Sequence, residues 1–194
     1  MIHLTPEILL AAYSQGVFPM AHPDGLIYWY SPDPRAVLPL DSLHVSRSLR
    51  RTVRRGIFDI RMDTAFEDVL DACAQPNRGR QETWISAEIA DAYNRLHSLG
   101  YAHSVEAWRG ENLVGGLYGV SLRGLFAGES MFSRERDASK VALYYLTHHL
   151  RERKFLLLDV QFQTSHLERL GAIEIPRYQY LEFLRQAMAM DVNF

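Results

Sequence analysis

Three runs of strand-forming residues, 103–108, 113–122 and 125–131, follow one another with only Arg109-Gly110-Glu111-Asn112 and Arg123-Gly124 between them. Such short glycine turns between β-rich runs predict a three-strand meander. A helical pattern over about 138–151 comes next, and then the apolar run Phe155-Leu156-Leu157-Leu158, which Asp159 breaks. From residue 58 the order reads β-α-α-β-β-β-α-β-α-α. This predicts an α+β fold with a mixed sheet flanked by helices.

The other elements follow from local signals. A strand alternates over 58–62, and Thr64-x-x-Glu67 offers a capping box for a helix to about Cys73. A helix from about 86 to 99 stops at Gly100, a short one over 164–170 stops at Gly171, and a last one covers about 178–190. Residues 75–81 read as loop. At the N-terminus, Thr5-Pro6-Glu7 starts a helix that Gly16 ends. A turn at Asp24-Gly25, the aromatic run Tyr28-Trp29-Tyr30 and Ser31-Pro32-Asp33-Pro34 then exclude further helix. We expect a small N-terminal α/β appendage over 1–43 and a main domain over 44–194.

Composition narrows the class. At 47 % hydrophobic and 23 % charged residues the chain is globular rather than disordered. No apolar run approaches the roughly 20 residues of a membrane span. The start Met1-Ile2-His3-Leu4-Thr5-Pro6-Glu7 lacks a secretory pattern, so a cytoplasmic, non-membrane protein is expected. Cys73 is the only cysteine, which excludes an internal disulfide and a multi-cysteine zinc site. The histidines show no HExxH-like spacing, so no metal site is read. P-loop, GxGxxG and GxSxG motifs are all absent.

Although the net charge is −2, charge is uneven. Arginines 35, 47, 50, 51, 54, 55 and 61 face only Asp41 and Asp59 over that stretch. Arg47, Arg50, Arg51, Arg54 and Arg55 share one face of a predicted helix with no acid among them. Such a stripe is either a solvated face or a grip on a phosphate-rich partner, and the missing acids favour the grip.

Three further features invite chemistry. Asp159 and Gln161 bracket Val160 at the end of an apolar strand, where alternation puts both on one face and, at a strand end, onto a crevice. In Gly128-Glu129-Ser130-Met131-Phe132-Ser133 an acid follows a glycine that permits close approach of a ligand. Arg134, Arg136 and Lys140 cluster at the start of a helix, a setting suited to an anion.

Tyr30-Ser31-Pro32-Asp33-Pro34-Arg35, Thr83-Trp84-Ile85, Gly115-Gly116-Leu117-Tyr118-Gly119, Gly128-Glu129-Ser130-Met131-Phe132-Ser133, Asp159-Val160-Gln161 and Leu170-Gly171-Ala172-Ile173-Glu174-Ile175-Pro176-Arg177 occur in this order. Together they resemble the leucyl/phenylalanyl-tRNA–protein transferases over nearly the whole chain. The resemblance implies a GNAT-like acyltransferase domain behind a small N-terminal domain. It also implies transfer of Leu or Phe, and Met less well, from aminoacyl-tRNA to proteins beginning with Arg or Lys, which marks them for proteolysis. No cofactor or metal is implied, and a monomer is expected.

By the same resemblance Asp159 holds the acceptor amine and helps remove its proton, Gln161 is its hydrogen-bonding relay partner, and Glu129 is a second acid in the same pocket, which recognises an amine or the cationic first residue of the acceptor. Tyr30, Trp84, Leu117, Gly128, Met131, Leu146 and Leu150 are implied to form the amino-acid pocket, with Trp84 alternatively stacking on the terminal adenosine. The arginine stripe would hold tRNA. An acetyl-CoA-dependent N-acetyltransferase would carry a glycine-rich loop where Ser133-Arg134-Glu135-Arg136-Asp137-Ala138 stands. A non-catalytic tRNA-binding protein would need only the stripe.

Overall fold

The computed structural model describes residues 4–75 and 83–194. Along the chain run α1 (Pro6–Tyr13), β1 (Phe18–Ala21), β2 (Ile27–Tyr30), β3 (Arg35–Val37), α2 (Arg47–Arg54), β4 (Asp59–Met62), α3 (Phe66–Ala74) and α4 (Ala87–Ser98). Then come β5 (Ala102–Arg109), β6 (Asn112–Leu122), β7 (Leu125–Ser133), α5 (Ala138–Glu152), β8 (Leu157–Gln161), α6 (Ser165–Glu168), β9 (Ile173–Ile175) and α7 (Arg177–Met188). One seven-stranded sheet has the order β4-β5-β6-β7-β8-β3-β9, and β1 and β2 form a separate hairpin. All neighbours in the large sheet are antiparallel except β7 and β8, which the α5 crossover makes parallel. The predicted meander and the helix-then-strand that follows it are therefore present, in an α+β fold.

Local chemistry fixes the helix starts. Thr5, Ser46 and Ser86 each accept a backbone N–H from the residue three on, at the heads of α1, α2 and α4. The expected capping box at Thr64 does not form. Instead the Thr64 hydroxyl and the Thr64 and Ala65 N–H groups all donate to Glu106, which is fully buried on β5. Glu106 also accepts from the Ser104 hydroxyl and the Trp108 indole N–H, so its charge is met from every side. The loop expected over 75–81 lies outside the described residues beyond Gln75.

Alternation along β6 sends Tyr118 and Val120 to a core shared with α1, α3 and α4, while Leu117 joins Leu146 and Leu150 of α5 on the other face. Gly115 lets α5 approach closely, since a Cβ there would lie 2.5 Å from that of Ala138. Three elements were not legible: the β1–β2 hairpin and the three-residue strands β3 and β9. Within the first 43 residues, expected as an appendage, β3 joins the large sheet and Leu9 and Tyr13 of α1 share a core with Tyr93 of α4.

Candidate active site

Strands β7 and β8 pair over only three positions, ending at Ala127 opposite Asp159. Both then bulge. Tyr118 faces Ser130 and Gly119 faces Gly128, so Glu129 is the extra residue of β7. On β8, Val37 of β3 faces Asp159 and Ala36 faces Gln161, so Val160 is the extra residue there. Bulges re-aim side chains and break pairing. Here the strands part, and a pocket of about 220 Å³ opens where they do.

Leu117, Gly128, Glu129, Met131, Leu146 and Gln161, all expected at the site, line this pocket. Leu143, Leu158 and Leu167 extend its apolar wall, and Thr164 and His166 add polar groups. The other expected residues lie off the wall. Leu150 is fully buried in the core beneath α5. Tyr30 stacks on Phe18 and meets Phe162 edge-on, next to Gln161 in the chain. Trp84 is partly buried against the core of α1 and α4, and its carbonyl accepts the Ala21 N–H.

Glu129 is the one acid on the pocket wall among the described residues. The Tyr13 hydroxyl donates to Oε1 at 2.7 Å and is itself hydrogen-bonded to the Tyr93 hydroxyl, which lies 3.2 Å from Oε2, so the three groups form one network. Burial pushes the Glu129 carboxyl up to about 7, partly offset by the Tyr13 hydrogen bond; the charge of Asp159 adds to the rise. Burial likewise raises both tyrosines well above their usual range, so they remain neutral donors. The bulge depends on Gly119, where a Cβ would lie 2.3 Å from the Ala127 carbonyl oxygen.

Asp159 departs from the expectation of a carboxylate on an open crevice sharing a face with Gln161. It is fully buried and bonded on both oxygens: Arg35 Nε donates to Oδ1 at 2.9 Å and Arg35 Nη2 to Oδ2 at 2.7 Å. The Tyr180 hydroxyl adds 2.9 Å to Oδ2 and the Gln161 N–H 3.0 Å to Oδ1. The Val160 bulge and the positive φ of 58° at Gln161 break the alternation. Gln161 therefore lines the pocket with Leu158 and Val160, while Asp159 faces Arg35. The buried Gln161 Nε2 has no hydrogen-bond partner, a costly state for an amide unless a ligand completes it.

Arg35, counted with the basic stretch, belongs instead to the interior. It is 1 % exposed, donates to the Gly16 carbonyl at 2.9 Å and lies over the rings of Phe18 and Tyr180. Arg47, Arg50, Arg51 and Arg54 on α2 and Arg55 at its C-cap are all exposed, and none is in an ion pair among the described residues. The cations near α5 are partly committed: Arg134 donates to the Leu113 carbonyl, and Arg136 and Lys140 both reach Asp137. Among the described residues no group of three or more His, Cys, Asp or Glu is set to hold a metal. Nor is any described helix long and apolar enough to cross a membrane.

Arg35, Tyr13, Tyr93 and Tyr180 escaped the sequence reading. The available signal was an Arg opening the apolar run Ala36-Val37-Leu38, and tyrosines on apolar helix faces whose hydroxyls must find a partner once buried.

Comparison with known proteins gives the chain's family. The family model described as leucyl/phenylalanyl-tRNA protein transferase matches residues 37–185, and that of its N-terminal domain matches residues 3–33. A leucyl/phenylalanyl-tRNA–protein transferase of Herpetosiphon aurantiacus is 55 % identical over 192 residues, 98 % of each chain. One of Rubrobacter xylanophilus is 54 % identical over 194 residues, all of both chains. One of Rhodospirillum rubrum is 54 % identical over all of this chain and 92 % of its own. A solved structure, L-PGS from Bacillus licheniformis, covers 78 % of this chain and 50 % of its own at 13 % identity and a TM-score of 0.47, too loose a likeness to argue from. The sequence matches define the class: the chain is an aminoacyltransferase. It belongs to the leucyl/phenylalanyl-tRNA protein transferase family.

Proposed function

We propose that this protein transfers leucine or phenylalanine, and methionine less well, from aminoacyl-tRNA to the α-amine of proteins beginning with Arg or Lys, acting in the cytoplasm as a monomer and marking its products for proteolysis. The observation that carries the reading is Glu129, a carboxyl titrating at about 7 on the wall of an apolar pocket. An α-ammonium has a pKa near 7.7–8.0, so handing its proton to this carboxylate costs about 1 kcal/mol. An ordinary glutamate would require about 4–5 kcal/mol for the same transfer.

The freed amine then attacks the carbonyl carbon of the aminoacyl ester. A C–N bond forms, the C–O bond to the ribose breaks, and the amine's second proton leaves with the ribose hydroxyl. Gln161 Nε2, lacking a partner, is available to donate to the carbonyl oxygen as charge develops. Asp159 acts at one remove in this reading. It is a positioning residue that fixes the Gln161 main chain and neutralises Arg35.

The apolar wall of Leu117, Met131 and Leu146 accepts a side chain unbranched at Cβ. With Asp159 neutralised, Glu129 is also the carboxyl that meets a cationic acceptor. The exposed arginines of α2 suit a sequence-independent hold on RNA phosphates. The meander, the crossover helix and the parting of β7 from β8 support a GNAT-like domain over 44–194, behind a small N-terminal domain over 1–43 that lends β3 to its sheet.

The test is transfer of labelled Leu, Phe and Met to peptides beginning Arg, Lys or Ala, followed against pH. The parent should transfer to Arg and Lys only, with kcat/KM rising through a midpoint near pH 7. Glu129→Gln should lower it by about 10²–10⁴-fold and remove that limb, leaving only the acceptor amine's own. Full activity in Glu129→Gln with an unchanged profile would refute the assignment.

A further inference from the structure

A second cavity, of about 350 Å³, lies beside the first and belongs to no step above. Its polar wall is His44, Ser46, Lys140, His166 and Arg169, with no acid on it. His166 also lines the substrate pocket, so the two cavities share a side chain. Lys140 Nζ donates to Asp137 at 3.1 Å, which leaves that ammonium two further N–H groups. Arg169 is exposed and in no ion pair among the described residues. Ser46 is the N-cap of α2, so the cavity lies at the head of the helix that carries the exposed arginines.

We propose that this cavity binds the phosphodiester adjoining the aminoacylated nucleotide of the donor, an inference that rests on the aminoacyl-tRNA reading above. A cavity bearing a lysine, an arginine and two imidazoles, set at the head of the arginine-bearing helix and sharing His166 with the substrate pocket, suits a chain of regularly spaced anions. It would repel the Arg or Lys of an acceptor. Burial and the nearby charges of Lys140 and Arg169 hold His166 below its usual pKa, and an anion bound beside it would raise it. The stripe on α2 then grips the tRNA body, while this cavity registers the ester against Glu129 and Gln161.

Two small donors separate the terms: aminoacyl-adenosine, which has no phosphate, and aminoacylated cytidylyl-adenosine, which has one phosphodiester. The parent should use the dinucleotide with a kcat/KM about tenfold or more above the nucleoside, the range of a charge-assisted hydrogen bond. In Lys140→Ala and in Arg169→Ala that ratio should fall toward one, and Lys140→Arg should keep it. By NMR, cytidylyl-adenosine without an amino acid should raise the His166 pKa and adenosine should not. An unchanged ratio in both alanine variants overturns the proposal. So does displacement of the dinucleotide by an acidic peptide better than by free cytidylyl-adenosine, which would give the cavity to the acceptor. If the parent uses neither donor nor charged tRNA, the transfer reading itself fails; if it uses both small donors equally, only the phosphate site does.

Discussion

Replacing Asp159 by Asn tests whether that carboxylate is a proton-handling group or the partner of a buried cation. The change keeps size and removes charge. Arg35, 1 % exposed, would retain the Gly16 carbonyl, the Tyr180 hydroxyl and two ring faces, but no carboxylate in contact. The new amide would also point N–H groups at donors. Breaking one side of a buried pair costs about 3–5 kcal/mol. For a chain of this size each kcal/mol shifts Tm by roughly 2–4 °C, so a fall of about 6–20 °C is expected. Urea unfolding at pH 7.5, read by tryptophan fluorescence, supplies the free energy. Arg35→Met should cost a similar amount, and Arg35→Met with Asp159→Leu should recover most of the loss, giving a coupling of about 3 kcal/mol or more. If Asp159→Asn unfolds within about 1 kcal/mol of the parent yet loses its turnover, Asp159 is itself handling the proton and our division of roles is wrong.

Charge reversal at Arg50 and Arg54 together should raise KM for aminoacyl-tRNA and reduce the slope of log affinity against log salt by about 0.7–0.9 for each phosphate no longer neutralised. An unchanged slope in a salt titration removes α2 from the tRNA interface. Gly119→Ala drives a methyl group into the Ala127 carbonyl oxygen, so the variant should lose about 1–3 kcal/mol in thermal unfolding and its kcat with it. Retained stability and turnover would show that the β7 bulge does not aim Glu129.

Much of this was legible in the chain, because it depends on local rules. Short glycine turns announce the meander, and N-caps at Thr5, Ser46 and Ser86 start helices wherever the rest of the molecule lies. Glu129 and Gln161 were visible as polar groups at the ends of apolar strands. What the sequence hid is what depends on distant partners. The strands β3 and β9 are three residues long, too short to show a period, and become strands only against β8 and one another. Thr64 looked like a helix cap until Glu106, 42 residues on, claimed its hydroxyl and N–H. Strict alternation placed Asp159 and Gln161 together, and a single bulged residue, Val160, separates them.

The strand β3 also bears on when the site can exist. It enters the sheet between β8 and β9, and its Arg35 meets Asp159 across 124 residues. A chain growing on the ribosome holds the Arg35 half early and cannot close the ion pair until nearly all of the polypeptide has emerged. Through most of its synthesis the nascent chain therefore has no assembled pocket, although it sits among the charged tRNAs that are its substrates. Activity arrives late and all at once, with the closing of the sheet.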